Sequence, residues 1–415
     1  MPRKFKSTRR AYLKAAGGAV GLAGLAGCIG SLPGGGGGGP IAMGSILPVT
    51  GDLSDFGPGM QEGVNLAVEH INDAGGPLGR EIDIFNRDSE TVAQAAQEQY
   101  SQLVSEQGIV GFVGAASSGV SVPLAQGIAA DQVAQVSPAS TSPTLANLGY
   151  NDDESVKYFA RTAPNDVQQG IVMGMILNDY VEAESASFLH VNNAYGEGLA
   201  QGAADAFDGE NLGLVPYSSQ TTDYTSTLDE LFSGDPDAVG FVGYPESGRS
   251  ILQTWSDGGY GGEWVLSEGL NSPDFFGAIP DITEGMYVSS PDPEETEGAS
   301  AFTEALGHEP RVFSPHSYDA LFLMALAVHK GGEASGTAIA ENIRSVSRGS
   351  GPTFTVGEFG DAIDAIDNGD DINYQGASSP VDLNENLEPL NRFAILQVSG
   401  GSTETLQQIP RSEFE

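Results

Sequence analysis

Several short segments of the chain carry residue types that can hold a small polar molecule. The loop 114–120 consists of small residues and contains two adjacent serines, Ser117 and Ser118. If a helix starts there, its free backbone N–H groups and the two hydroxyls could bind a carboxylate. The same serines could instead act only as helix caps. The loop lacks the G-x-G-x-x-G pattern, so it does not predict a dinucleotide site.

A second polar segment, Ala139-Ser140-Thr141, follows a predicted strand at 133–137. A hydroxyl group can donate a hydrogen bond to a carboxylate and accept one from an ammonium group. The alternative is the ordinary turn chemistry of serine and threonine.

Tyr195 and Glu268 each lie near the end of a predicted strand. The tyrosine ring could stack on a ligand while its hydroxyl stays hydrogen-bonded, or it could pack at the surface of the protein. The Glu268 carboxylate is a natural partner for an ammonium group in a crevice. In a chain with 56 acidic residues it could equally be one more solvated acid.

Nothing in the sequence predicts catalysis. G-x-S-x-G and H-E-x-x-H do not occur, and the five histidines show no metal-ligand spacing. No P-loop is present, so any energy from nucleotide hydrolysis must come from another subunit. We therefore expect a protein that is not an enzyme and has no metal or cofactor.

The composition restricts the partners of the chain. It has 415 residues, 40% of them hydrophobic, and a formal net charge of −39. Six of the 17 basic residues lie in the first 27 positions, so the remainder carries 11 basic against 56 acidic residues. Such a body repels nucleic acid and anionic membrane surfaces. The acids are scattered and lysine is scarce, which favours adaptation to high salt over an acidic docking surface for a basic partner.

The pattern of the first forty residues is typical of an export signal followed by a tether. Segment 7–14, STRRAYLK, resembles a twin-arginine signal, and the apolar stretch 15–27 is shorter than the ~20 residues of a membrane-spanning helix. Segment 25–28, LAGC, resembles a lipobox, which implies a signal peptide at 1–27 and lipidation of Cys28. The alternative is a short membrane anchor with an incidental cysteine. A Gly-rich tether then covers 28–40.

From position 41 onward, short apolar strands alternate with amphipathic helices. This alternation predicts parallel sheets with helices on both faces. There are too many such units for one sheet, and a second series begins near 185. We predict an α/β protein with two doubly wound parallel-sheet lobes joined by a hinge, and a ligand crevice at the carboxyl ends of the strands. Lobe 1 is expected at 41–161 and 291–374, and lobe 2 at 162–290 and 375–415.

Five segments in this order resemble the branched-chain amino-acid-binding protein family, the type I periplasmic or extracellular receptors of ABC importers. They are LPVTGDLSDFG at 47–57, HINDAGG at 70–76, PASTSPTL at 138–145, AYGEG at 194–198 and SPVD at 379–382. The similarity extends from 41 to about 398. With the acidic composition and the lipobox, the whole chain resembles a haloarchaeal lipoprotein of this family.

The resemblance implies roles for the candidate residues. The loop with Ser117 and Ser118 would hold the α-carboxylate of an amino acid, and Glu268 its ammonium group. The Ala139 carbonyl would accept from the ammonium, and Thr141 would contact both ends of the zwitterion. The positions expected to contact the ligand are Phe56, Ser117, Ser118, Ala139, Ser140, Thr141, Tyr195, Tyr244 and Glu268, with Phe56 and Tyr244 lining the side-chain pocket; Phe313 is a further candidate there.

The family also implies partners and a location. We expect an extracellular, lipid-anchored receptor that binds a branched-chain or similar amino acid between two closing lobes and serves ABC permease and ATPase subunits. An amide, urea or an aromatic acid is the alternative ligand. A ligand sensor or an enzyme on the same fold is the second alternative.

Overall fold

The computed structural model describes residues 38–292 and 296–414. The expected signal peptide at 1–27, Cys28 and most of the tether at 28–40 lie outside the described residues. Within the described ranges, every helix is too short or too polar to span a lipid bilayer.

The strands form two main sheets and one short two-stranded ladder. In chain order they are β1 Ile41–Leu47, β2 Ile82–Asp88, β3 Gly111–Gly114, β4 Ala134–Ser137, β5 Phe159–Arg161, β6 Ser185–Val191, β7 Glu210–Tyr217, β8 Ala238–Val242, β9 Glu263–Leu266, β10 Tyr287–Pro291, β11 Thr353–Phe354, β12 Asn373–Tyr374, β13 Phe393–Ser399 and β14 Ser402–Ile409.

The α-helices lie between these strands. They are α1 Gly57–Asp73, α2 Ala93–Gln102, α3 Ser118–Ala125, α4 Ile128–Asp131, α5 Asp166–Met175, α6 Ala194–Ala206, α7 Thr225–Leu231, α8 Pro245–Gly258, α9 Pro273–Ala278, α10 Pro280–Thr283, α11 Glu297–Leu306, α12 Ser314–Gly331, α13 Gly336–Ser347 and α14 Phe359–Asp367. Short 3₁₀ or π turns occur at Pro77–Gly79, Leu103–Gln107, Pro143–Asn147, Ile176–Tyr180, Glu268–Leu270 and Arg411–Phe414.

The first sheet is wholly parallel, with strand order β2-β1-β3-β4-β5. Its central strands are almost continuously buried, as expected for a parallel sheet covered on both faces. Helix α12 is buried along nearly its whole length and packs against α1, α13 and this sheet. The strand order reverses between β1 and β3, which creates a crevice at their carboxyl ends. We call this sheet and its helices the first lobe.

The second sheet has the order β14-β13-β10-β9-β8-β6-β7 and defines the second lobe. Strands β6 to β10 are parallel, which confirms the doubly wound prediction for this lobe. The sheet is not parallel throughout, because β13 and β14 pair antiparallel at its edge. Gly400 and Gly401, both with positive φ, form the two-residue hairpin between them.

The chain passes between the two sheets three times. The first passage follows β5, the second follows β10, and the third precedes β13. The segment 376–391 stays with the first lobe, since the Asp319 carboxylate of α12 accepts hydrogen bonds from the backbone of Ala377 and Ser378. The chain therefore enters the second sheet at Phe393, later than the boundary of 375 expected from the sequence.

Candidate ligand-binding site between the two lobes

A pocket lies where the carboxyl ends of strands from both sheets face each other. Loops after β1, β3 and β4 line it from the first lobe, and loops after β6, β8 and β9 line it from the second. This is the position at which open α/β sheets bind ligands. The lining includes seven of the nine expected residues, namely Phe56, Ser117, Ser118, Ala139, Tyr195, Tyr244 and Glu268.

Ser118 is placed to donate a hydrogen bond into the pocket. It is the first residue of α3, and its Oγ accepts hydrogen bonds from the backbone N–H groups of Thr141 (3.2 Å) and Ser142 (3.1 Å). The Ser118 hydroxyl proton is then left for another acceptor. The first N–H groups of α3 have no partner within the helix, so this end of the pocket favours an anion.

Ser117 has a different partner from its neighbour. Its Oγ lies 2.8 Å from the Tyr244 hydroxyl, which joins the first lobe to the second. Ser117 occupies the N-cap position of α3, but its side chain makes no capping hydrogen bond. The capping alternative considered for these serines therefore does not describe Ser117.

Tyr195 and Tyr244 form one aromatic wall. Their rings are stacked with centroids 5.5 Å apart and an angle of 8° between the planes. The Tyr195 hydroxyl donates to Glu268 Oε2 at 2.8 Å and lies 2.9 Å from Ser267 Oγ. The tyrosines thus combine apolar surface with fixed polar ends.

Two buried carboxylates belong to the second lobe: Glu268 lines the pocket, and a second carboxylate lies near it outside the lining. Glu268 is 2% exposed, and its Oε2 also accepts a hydrogen bond from Gln169 Nε2 at 2.6 Å. Burial raises the pKa of Glu268, and the hydrogen bonds from Tyr195 and Gln169 partly offset this.

The second carboxylate belongs to Asp166, the first residue of α5. Neither of its oxygens makes a hydrogen bond of good geometry to a described residue. Burial, followed by repulsion from Glu268, raises the pKa of Asp166 well above its usual range, while nearby Thr141 and Arg161 act in the opposite direction. Two buried carboxylates that repel each other form a strong site for a cationic group.

The three residues of the segment after β4 differ in their surroundings. Ala139 lines the pocket. Thr141 is buried, and its Oγ1 has no hydrogen-bond partner among the described residues. Ser140 faces away from the pocket, because its Oγ lies 2.8–3.1 Å from Ser121 Oγ and from the carbonyls after β3. The structure therefore assigns Ser140 to anchoring the loop, contrary to the contact expected from the sequence.

The apolar part of the pocket comes from the first lobe. Leu53 and Phe56 lie in the loop after β1, Met60 lies on α1, and Phe313 precedes α12. Phe313 has φ of 66°, a left-handed conformation that is uncommon for a bulky residue. These side chains form an apolar wall, whose polarity suits an aliphatic group.

The two lobes are also in contact at the mouth of the cleft. Asp52 Oδ1 accepts from the Ser247 backbone N–H at 2.9 Å, near the start of α8. Asp55 Oδ2 accepts from Arg249 at 2.6 Å and from Ser272 at 2.7 Å. The remaining contact of this group joins Arg311 to Asp274 at 2.7 Å. We call these four pairs the cleft-mouth contacts.

Sequence reasoning missed four residues of the lining, Leu53, Met60, Ala116 and Gly269, and also Asp166 near it. The first four are apolar or small residues of the kind that ordinarily form a core or a turn, so their types gave no signal. Asp166 carried a weak signal, since an acid in the first turn of a helix is common for electrostatic reasons alone. Its burial at the junction between the lobes could not be seen in the sequence.

The chain matches the family model described as periplasmic binding protein over residues 40–365. It is 36% identical to the chemotactic signal transduction system substrate-binding protein BasB of Halobacterium salinarum, over 90% of this chain and 91% of that protein. It is 25% identical to Leu/Ile/Val-binding protein homolog 1 of Brucella abortus, over 76% of this chain and 84% of that one.

The fold is similar to that of a crystal structure of the leucine-binding protein LivK from Thermotoga maritima. The TM-score is 0.76 at 22% sequence identity, and the match covers 90% of this chain and 99% of that one. The matched family and these relatives are binding proteins, so the chain is a solute-binding receptor rather than an enzyme. It belongs to the branched-chain amino-acid-binding family of type I periplasmic binding proteins.

Proposed function

We propose that this protein is an extracellular, lipid-anchored receptor that binds a branched-chain or similar amino acid between its lobes and delivers it to an ABC importer. Cys28 would carry the lipid, and residues 28–40 would form the tether. Permease and ATPase subunits would supply the membrane passage and the energy, since the chain has no P-loop. Anchoring raises the effective concentration of a receptor near its permease.

The observation that carries the proposal is the polarity of the pocket. Ser118 and the start of α3 bring hydrogen-bond donors to the pocket from the first lobe, and Glu268 brings a buried carboxylate from the second, with the Asp166 carboxylate near it. A zwitterionic amino acid has its carboxylate and its ammonium group on one carbon, so it can satisfy the donors and the carboxylates at once. The apolar wall around Phe56 then accommodates an aliphatic side chain.

The same polarity argues against the other ligand classes. An aromatic acid has a carboxylate but no cation, so it would leave two buried carboxylates without a positively charged partner. Urea and simple amides are neutral and would satisfy the carboxylates less well.

Binding would be coupled to closure because the pocket has walls from both lobes. Ser118, Ala139 and Thr141 would hold the amino acid from the first lobe, and Tyr195 and Glu268 from the second. An amino acid that makes all its contacts only in the closed form shifts the hinge equilibrium toward that form. The closed form would then be the one that a permease recognises.

A second use of the closed form is suggested by one relative. The Halobacterium salinarum protein, at 36% identity, is named as the substrate-binding protein of a chemotactic signalling system. A membrane-bound chemotaxis transducer could bind the same closed form of the receptor. Deletion of the gene distinguishes the two, because loss of amino-acid uptake supports the importer and loss of swimming bias alone supports the transducer.

A thermal-shift screen of the full chain in molar KCl tests the ligand. The panel contains the twenty amino acids, amides, urea and aromatic acids. A ligand at 100 times its Kd adds about 2.7 kcal/mol of stability, which raises the melting temperature measurably. Shifts with leucine, isoleucine or valine support the proposal. Shifts only with neutral amides, urea or aromatic acids would contradict it.

A further inference from the structure

We infer that Arg161 is a positioning residue for the ligand carboxylate, acting through the Ser140–Thr141 peptide and Ser118 without touching the ligand. This inference rests on the proposed function and adds a residue to it. Arg161 ends β5 at the first passage between the lobes and is 1% exposed. It is absent from the pocket lining.

The guanidinium lies behind the ligand-binding loop. Arg161 Nη1 donates hydrogen bonds to the carbonyl oxygens of Ser140 (3.1 Å) and Ser142 (3.0 Å). The carbonyl of Ser140 and the N–H of Thr141 belong to the same peptide group and point in opposite directions. A cation on the carbonyl side polarises that peptide and makes its N–H a stronger donor.

The polarised N–H points at Ser118. The Thr141 N–H donates to Ser118 Oγ at 3.2 Å. A hydroxyl that accepts such bonds becomes a stronger donor of its own proton. Ser118 lines the pocket, so the Arg161 charge reaches a ligand carboxylate through two hydrogen bonds within the protein and the bond that Ser118 donates. The chain thereby presents a positive potential to the carboxylate without placing the guanidinium in the pocket lining.

The guanidinium is held in place from the third passage of the chain. Arg161 Nε donates to Glu388 Oε2 at 2.9 Å, and Nη2 forms an ion pair with the same oxygen. Glu388 Oε1 accepts from Asn165 Nδ2 at 3.0 Å, and Asn165 caps α5. A buried ion pair is weak evidence for stability, because apolar residues of similar size often replace one without loss. Its fixed orientation against the two loop carbonyls favours the positioning role.

The test compares a ligand that has the carboxylate with one that lacks it. We would measure Kd by calorimetry for leucine and for leucinamide, in which a neutral amide replaces the carboxylate. The variant is Arg161→Met combined with Glu388→Met, which removes both charges and leaves neither buried alone. The matched control is Arg344→Met with Glu385→Met, an exposed ion pair of the same lobe.

We expect the buried double variant to bind leucine about tenfold or more weakly, because a charge-assisted hydrogen bond is lost. Its affinity for leucinamide should stay near the wild-type value, so the ratio between the two ligands shrinks. The control variant should keep the wild-type ratio.

Equal fold-losses of affinity for leucine and leucinamide would leave the ratio of their Kd values unchanged. That outcome would assign the ion pair to structure alone and overturn the inference. Arg161→Lys offers a second check if the double variant folds poorly, since a lysine cannot bridge two carbonyls and Glu388 at once. That variant should also lower the ratio. A wild-type protein that binds no amino acid would overturn the proposed function together with this inference.

Discussion

Replacement of Glu268 by glutamine separates the cost of a buried charge from the benefit it gives to a ligand. Glutamine keeps the shape of the side chain and one oxygen that can accept from Tyr195 or Gln169. It removes the negative charge that would face the ligand ammonium. The change therefore acts on electrostatics and leaves packing nearly unaltered.

The size of the effect follows from the surroundings of Glu268. Loss of one partner of a buried, hydrogen-bonded charge pair costs about 2–5 kcal/mol. Asp166 remains in the variant and shares the positive charge of the ammonium, so the loss should lie at the lower end. We expect about 2–3 kcal/mol, or roughly a 30- to 150-fold increase in Kd for the amino acid.

Calorimetry in molar KCl gives the Kd, and a melting curve without added amino acid gives the second readout. Glu268→Gln removes the repulsion with Asp166, so its melting temperature should equal or exceed that of the wild type. Glu230→Gln, an exposed acid on α7, is the control and should change neither quantity. A Kd within about twofold of the wild type would refute the role assigned to Glu268, because that lies within the precision expected for surface changes.

Three further outcomes are expected. Because burial raises the pKa of Asp166 and Glu268, the folded protein holds protons that the unfolded chain releases. The free energy of unfolding should therefore fall as pH rises above about 4. Amino-acid binding should strengthen over the same range and release protons. Calorimetry in buffers of different ionisation enthalpy would reveal that release. Asp55→Asn should weaken amino-acid binding about three- to tenfold, and adding Arg249→Met should weaken it little further, because the two side chains are in contact. Strictly additive losses of affinity would speak against that contact. In Gly119→Ala, a new Cβ would lie 3.0 Å from the Asn193 side chain of the opposite lobe. Closure of the lobes should then be hindered, so binding should weaken without a lower melting temperature. Unaltered affinity would contradict this approach of the two lobes.

Much of the fold was accessible from the sequence because apolar runs and helical spacing alternate along it. The antiparallel hairpin was missed, although Gly400-Gly401 is the dipeptide that predicts such a turn. The third passage was placed too early. Its position depends on hydrogen bonds of segment 376–391 to Asp319 and its neighbours, which are distant in sequence.

At the site, sequence position was a better guide than residue type. Glu268 lies two residues after the end of β9, so its place at the sheet edge followed from the strand prediction. Ser117, Ser118 and Ser140 have the same side chain but three different sets of partners. The partner of a serine hydroxyl depends on small differences in its distance to neighbouring polar atoms. Those distances are set by packing that only the folded chain provides.

Enclosure of the pocket has a kinetic consequence. Phe56, Ser118, Tyr195, Tyr244 and Glu268 are each less than 5% exposed, so a molecule held among them would be largely covered by the two lobes. If escape requires the lobes to part, its rate cannot exceed the rate of opening. Residence time is then governed by the hinge and the cleft-mouth contacts, and ligands of different affinity should share the same upper limit on their dissociation rate. A membrane partner that pulls the lobes apart would thus control release directly.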